Sequence, residues 1–182
     1  MSSSTAAMDL KPAVRLIHTL SAAAALTAGS LAIPAASAHA AELAPALQKL
    51  ATCEDSWYDL RQDQARMEAI GVALRSQFAP QDRSPVWKPT GPVTWLGAEV
   101  LEMTPQSVGM GLGFALTLKS PASTVQPAYE RALGQAMERC ESGDGMRSCE
   151  RRLGEKRTAM LMSPLNKPEL GTLVGCYYFY QQ

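Results

Sequence analysis

Residues 108–119 read Val-Gly-Met-Gly-Leu-Gly-Phe-Ala-Leu-Thr-Leu-Lys, and this stretch gives the clearest indication of the fold class. Apolar side chains alternate with small or polar residues, which is typical of a β-strand. The apolar series is predicted to face the core, because successive side chains of a strand point to opposite faces. The other series begins with Gly109, Gly111 and Gly113 and leaves a strip of bare backbone on the opposite face.

Two interpretations of this glycine strip stay open. Aromatic side chains of a neighbouring strand can lie over it, in which case its role is structural. Alternatively, a ligand or a partner chain can approach the bare backbone, since a strand glycine often marks such a contact. Gly109, Gly111 and Gly113 are therefore candidate binding residues.

The remaining segments predict a small domain of mixed class. Apolar spacing of three and four residues predicts helices over 43–61, 64–78 and 123–140. β-Branched and aromatic content predicts further strands over 93–103, 156–162 and 172–180. Loops are expected over the Pro-rich segment 79–92 and the polar segment 141–155. The order α-α-β-β-α-β-β predicts an α+β fold, with an antiparallel sheet of about four strands and helices packed on one face.

The N-terminal segment has the three parts of a secretory signal peptide. Lys11 and Arg15 supply positive charge, and an uncharged run rich in Ala and Leu extends from Leu20 to Ile33. Pro34 ends that run, and Ala38-His39-Ala40 fits the small-x-small cleavage rule. Residues 1–40 are thus predicted to be a cleaved signal peptide, and residues 41–182 a single domain that is periplasmic or secreted.

An uncleaved membrane anchor is the alternative interpretation of the same segment. A spanning helix needs about 20 apolar residues, and here Gly29, Pro34 and His39 interrupt the stretch. We therefore expect no transmembrane segment after cleavage. The chain has 17 basic and 17 acidic residues, and this balance gives no indication of nucleic acid as a partner.

The cysteines predict two disulfides. An even number of cysteines in an exported chain is typical of a disulfide framework, and all four lie after the signal segment. The turn-like stretch between Cys140 and Cys149 favours a local bridge, which leaves Cys53 to pair with Cys176. A metal site is the alternative, but the chain contains no Cys-x-x-Cys.

Catalysis finds little support in the sequence. Both histidines, His18 and His39, lie in the signal segment, so the mature chain lacks a Ser-His-Asp triad, a Cys-His pair and His-ligated zinc. A carboxylate-pair or Ser-Lys hydrolase needs no histidine and remains an alternative. Met160 and Met162 share one face of their strand, which suits core filling or, alternatively, a thioether copper site. We expect no catalytic residue, no cofactor and no metal.

Candidate binding residues come from three further features. Trp87 lies in the middle of the Pro-rich segment, and Tyr178 and Tyr180 share one face of the last predicted strand. Tyrosine suits binding surfaces because it has an apolar ring and a polar tip. Arg151 and Arg152 belong to a basic run near Cys149, which could contact an acidic partner or a phosphate-bearing envelope polymer.

These observations favour a non-enzymatic binding domain of the cell envelope. An inhibitor or immunity-type protein, acting on a protein or an envelope polymer, is one version, and it should present a compact patch of aromatic and arginine side chains. The alternative is a structural or assembly factor, which should present an open sheet edge or a large apolar surface. No sequence motif resembles a known family.

Overall fold

The computed structural model describes residues 35–60, 62–105, 107–108 and 111–178, which belong to one compact unit. The α-helices are α1 (Ala35–Ala51), α2 (Trp57–Leu60), α3 (Gln64–Gln77) and α4 (Ala122–Leu133), and a short 3-10 helix spans Pro168–Leu170. The first six strands are β1 (Phe78–Pro80), β2 (Trp87–Pro89), β3 (Thr94–Trp95), β4 (Ala98–Thr104), β5 (Ser107–Val108) and β6 (Gly111–Leu118). The last four are β7 (Arg139–Gly143), β8 (Met146–Arg152), β9 (Arg157–Pro164) and β10 (Thr172–Tyr178).

One antiparallel sheet dominates the described chain. Its strands follow the order β1-β2-β4-β6-β10-β9-β8-β7, with β3 beside β4 and β5 beside β6. The prediction of an α+β fold with about four strands and helices packed on one face is therefore wrong, because the described chain is mostly β. Helix α3 packs on α1 and β1 rather than on the central strands.

Strand β6, whose alternation was the clearest sequence signal, lies in the middle of the sheet. It pairs with β10 from Leu112↔Tyr178 to Leu118↔Thr172 and with β4 on its other side. Helix α4 carries the chain from β6 to the far edge, and the meander β7-β8-β9-β10 leads back to β6. The last described strand, β10, therefore lies in the middle of the sheet, between β6 and β9.

The segment 141–155 was predicted to be a loop, and this prediction is wrong. It contains most of the β7–β8 hairpin, whose turn is Asp144–Gly145 between the paired residues Gly143 and Met146. Both turn residues have positive φ, 50° and 74°, which is the conformation that two-residue hairpin loops favour. The Asp-Gly pair signalled this turn in the sequence, but the charged residues around it suggested a solvated loop.

Three other element boundaries differ from the predictions, and each has a local cause. The helix predicted over 43–61 is divided, since Cys53 has a φ of 62° after the end of α1. Helix α4 ends at Leu133 because Gly134 adopts the left-handed C-cap conformation. The Pro-rich segment holds strand β2 paired with β1, an arrangement that tolerates proline because β1 is an edge strand.

The hydrophobic core lies on one face of the sheet, which we call the core face. Phe114, Leu116 and Leu118 of β6 are buried there, as predicted, together with Val174 and Cys176 of β10. Helix α1 contacts β6 and β10, and α4 contacts β9 and β10. The opposite face of the sheet is the outer face.

Tyr129 of α4 connects three elements within this core. Its side chain is fully buried, and its hydroxyl lies 2.8 Å from the Ala51 carbonyl oxygen and 2.7 Å from the Gly175 carbonyl oxygen, so that it can donate to either. Ala51 ends α1, whose last carbonyl groups have no partner within the helix. Trp95 packs edge-on against the Tyr129 ring, with ring centroids 6.1 Å apart.

Both predicted disulfides are present. Cys53 is bonded to Cys176, with Cα atoms 5.2 Å apart, and links the segment after α1 to β10. Cys140 is bonded to Cys149, with Cα atoms 4.0 Å apart, and links directly opposite residues of β7 and β8. Two such bridges indicate an oxidising compartment. Within the described residues, no helix is long and apolar enough to cross a membrane.

We predict that the two disulfides contribute unequally to stability. The bridges span 123 and 9 residues of sequence, and in the chain-entropy model the longer loop stabilises by roughly 5 kcal/mol against roughly 2.5 kcal/mol for the shorter one. Urea unfolding of the C53A/C176A and C140A/C149A variants should therefore show the larger loss in the first. Equal losses would contradict the prediction.

We also predict that Tyr129→Phe lowers the free energy of unfolding by about 2 kcal/mol at pH 7, because it leaves buried carbonyl groups without a donor. Burial raises the pKa of the Tyr129 phenol far above its ordinary value. The unfolded chain loses this proton near pH 10 and the folded chain keeps it, so the stabilisation is complete below pH 10 and falls above it by about 1.4 kcal/mol per pH unit. Urea unfolding from pH 8 to 11 should show the difference between wild type and variant shrinking above pH 10; a constant difference would contradict the assignment.

Candidate functional site

A groove of about 430 Å³ lies on the outer face of the sheet. We call it the methionine groove, and its apolar lining consists of Leu101, Met146, Met162, Pro164, Leu170 and Leu173. Its remaining lining residues are Glu102, Thr117, Glu169 and Gly171. Strands β4, β6, β10, β9 and β8 all contribute to it, together with the 3-10 helix.

Strand register brings the floor of the groove together. Leu173 lies directly opposite Thr117 on one side and Met162 on the other. Met146 lies opposite Pro164, one step along the same face from the pair Ser148↔Met162. Directly opposite residues of antiparallel strands share a face, so these side chains form one continuous surface.

A β-bulge supplies the wall on the β4 side. The register of β4 against β6 shifts between Val100, which lies opposite Leu118, and Glu102, which lies opposite Thr117. The residue between them, Leu101, lines the groove beside Glu102. A bulge inserts one extra residue and re-aims the neighbouring side chains, which explains why two consecutive residues reach the same groove.

The part of the lining that comes from the 3-10 helix depends on Gly171. This residue has a φ of 84°, and a Cβ atom at its position would lie 2.4 Å from the carbonyl oxygen of Leu118. Only glycine therefore permits the 3-10 helix to approach the end of β6 so closely. The result is that Leu170 stands at the groove with 55 % of its surface exposed.

The charged side chains of the lining are all acidic. Glu102 lies 3.9 Å from Lys88 in an ion pair whose two side chains are largely exposed, and such pairs are weak. Glu169 has no ion-pair partner among the described residues. The groove therefore combines an apolar floor with a negative rim.

Gly111 and Gly113 of the predicted glycine strip lie on the outer face but outside the lining of this groove. Gly113 is buried and lies directly opposite Tyr177 of β10. Gly111 pairs with Val108 of β5. Gly109 falls outside the residues that the structure describes. An aromatic residue of the neighbouring strand is thus directly opposite Gly113, and both interpretations of the strip stay predictions.

Tyr178 occupies a buried position on the core face. Its hydroxyl donates a hydrogen bond to the carbonyl oxygen of Asp55 at 2.8 Å, and only 3 % of its surface is exposed. It anchors the segment after α1 rather than offering a ring to a ligand. Tyr180 lies outside the described residues, so the predicted tyrosine pair stays a prediction.

Trp87 lines a second, smaller groove of about 390 Å³ between β2 and α3. Its ring is half-buried, opposite Met103 in the adjacent strand. Met67, Gly71 and Arg75 of α3 form the other side. The guanidinium of Arg75 lies 3.3 Å from where a Cβ atom of residue 71 would be, so the bare backbone of the glycine makes room for this side chain.

Arg151 and Arg152 are neighbours in sequence but do not form one patch, since adjacent residues of β8 point to opposite faces. Arg151 donates to the Gln135 side chain at 2.7 Å and pairs with Glu138. The Arg152 guanidinium donates to the carbonyl oxygens of Gly154 and Glu155. Both side chains therefore brace the loops next to their own strand.

The methionine groove was not predicted from the sequence. The alternation at Met160 and Met162 gave the only signal, and both residues do face the outer side. Met146 fell in a predicted loop, and the neighbours of each strand were unknown. Met103, at the end of the strand predicted over 93–103, lies on the core face, paired with Leu116, and is not part of the groove.

In the part of the chain that the structure describes, no group of three or more His, Cys, Asp or Glu side chains could hold a metal ion.

Comparisons with protein-family models, with curated proteins and with solved structures find no match to this chain. The geometry of the described residues is thus the basis for assigning a function.

We predict that Gly171→Ala destabilises the fold by about 3 kcal/mol, because strain at positive φ adds to a backbone collision. Gly154→Ala is the matched control: its φ is also positive, 101°, but a Cβ atom there would meet nothing within 4 Å. Urea unfolding should show a loss of only about 1 kcal/mol for that control. Equal losses would mean that Gly171 is required only for its φ.

Proposed function

We propose that this chain is an exported, non-enzymatic binding domain of the bacterial cell envelope that holds an apolar segment of a partner in the methionine groove. The observation that carries the proposal is the groove itself, where solvent-accessible leucine and methionine side chains from four strands and a 3-10 helix adjoin one another. Clustered exposed apolar side chains of this kind mark interaction sites.

The compartment follows from two features together. Both disulfides are formed, which indicates an oxidising environment, and residues 1–40 have the pattern of a signal peptide. We infer that the mature domain, residues 41–182, is periplasmic or secreted, where its partner would be an envelope protein or polymer.

The surroundings of the groove suit binding. The floor belongs to the central strands of the sheet, which the core face holds in place, so the apolar side chains are presented on a rigid base. Met146 and Met162 add unbranched side chains that adapt to different partner shapes.

The groove favours an assembly or carrier role over an inhibitor role. The inhibitor hypothesis expected a compact patch of exposed aromatic and arginine side chains, with Trp87, Tyr178 or Arg152 as candidates, whereas Tyr178 is buried and the Arg152 guanidinium bonds to its own turn. An assembly or carrier protein needs an apolar surface that a client segment can cover, and the methionine groove is such a surface.

Site-specific photo-crosslinking in the periplasm tests this proposal. We expect a benzophenone side chain at position 170 to form a discrete adduct with a partner. The same group at position 72 is the control, because Val72 is comparably exposed, at 45 %, but lies on α3 away from the groove. A second substitution, Met162→Asp, should abolish the adduct.

The proposal fails if position 170 gives no adduct, or if positions 170 and 72 give the same adducts. Circular dichroism and intact mass of each variant check that the fold and both disulfides are retained. A retained fold makes the loss of an adduct attributable to the groove.

A further inference from the structure

We infer that the partner segment of the methionine groove is a cationic apolar peptide, one that places leucine-like side chains on the groove floor and lysine or arginine side chains against its rim. This inference rests on the proposed function and adds the chemistry of the partner. It is carried by the charge of the lining: the groove has two carboxylates, Glu102 and Glu169, and no basic residue.

The two carboxylates are placed to meet such a peptide. Glu102 is on β4, Glu169 is on the 3-10 helix, and both line the groove. A segment lying in the groove would therefore lie close to both carboxylates. Glu169 is exposed and has no ion-pair partner in the described part of the chain, so a basic side chain of the partner would add an interaction without breaking one.

Lys88 makes an opposing contribution near the rim. It lies 3.9 Å from Glu102, and both side chains are well exposed, so its hold on the carboxylate is weak. Lys88 is not part of the groove lining. A partner lysine could replace it, and removal of Lys88 should strengthen the attraction for a cationic segment.

The same rim argues against an anionic lipid as occupant. An acyl chain would fit an apolar floor, but a phosphate or carboxylate head group would lie against Glu102 and Glu169, where like charges repel. A peptide with basic residues has complementary charge, and its leucine side chains match the spacing of an apolar strand surface.

Three labelled ten-residue peptides test the inference. They share the same leucine and phenylalanine positions and carry, at three other positions, lysine, glutamine or glutamate. Fluorescence anisotropy with the purified mature domain should give the tightest binding for the lysine peptide, about tenfold tighter than for the glutamate peptide at low salt. Raising the ionic strength from about 20 mM to about 300 mM should reduce this preference several-fold, because the rim is exposed.

Variants of the chain provide the matched controls. Glu102→Gln with Glu169→Gln should remove the preference for lysine while leaving the glutamine peptide unaffected. Glu155→Gln removes an exposed carboxylate at the opposite end of β8 and β9 and should change nothing. Lys88→Gln should strengthen binding of the lysine peptide about twofold.

The outcomes separate the inference from the function on which it rests. If all three peptides bind equally, or if the glutamate peptide binds most tightly, the cationic partner is wrong and the binding groove stands. If none binds, or if Leu170→Asp leaves all binding unchanged, both are wrong. If anionic vesicles compete with the lysine peptide for the domain, and if Leu170→Asp abolishes binding of the vesicles, the occupant of the groove is a lipid and the peptide inference is wrong.

Discussion

The buried hydroxyl of Tyr129 is the contact on which the rest of the arrangement depends. It lies between the carbonyl oxygen that ends α1 and that of Gly175 in the middle of β10. A helix end buried without a partner would be costly, because the last carbonyl groups of a helix have no donor of their own. One side chain of α4 therefore fixes α1 and α4 relative to the central strand of the sheet.

A second set of contacts fixes the segment that follows α1. Cys53 is bonded to Cys176, Tyr178 donates to the carbonyl oxygen of Asp55, and Arg157 donates to the carbonyl oxygens of Cys53 and Glu54. The residues that hold this segment, Arg157, Cys176 and Tyr178, lie at the start of β9 and near the end of β10, which are adjacent in the sheet. Together they close the core face at this end of the sheet.

The groove on that outer face follows from backbone features more than from side-chain identity. The bulge in β4 turns Leu101 and Glu102 toward the same groove, and Gly171 lets the 3-10 helix approach the end of β6. Both features cost local stability, since a bulge interrupts the strand ladder and a glycine loses more conformational freedom on folding. Such a cost at an exposed apolar site is consistent with selection for binding.

The sequence by itself determined the local structure wherever a short-range rule applied. Alternation in residues 111–118 placed β6 and its buried face, and the even number of cysteines with their spacing gave both disulfide pairs. The tertiary structure alone decided which strands distant in sequence are neighbours, because no local pattern encodes a long-range pairing. Charged β7 and β8 looked like a loop until they paired with β9, and Met146, Met162 and Leu173 became one groove only through that register. Tyr178 shows the same limit: its alternation was clear, but only the packed fold decided that its face is the buried one.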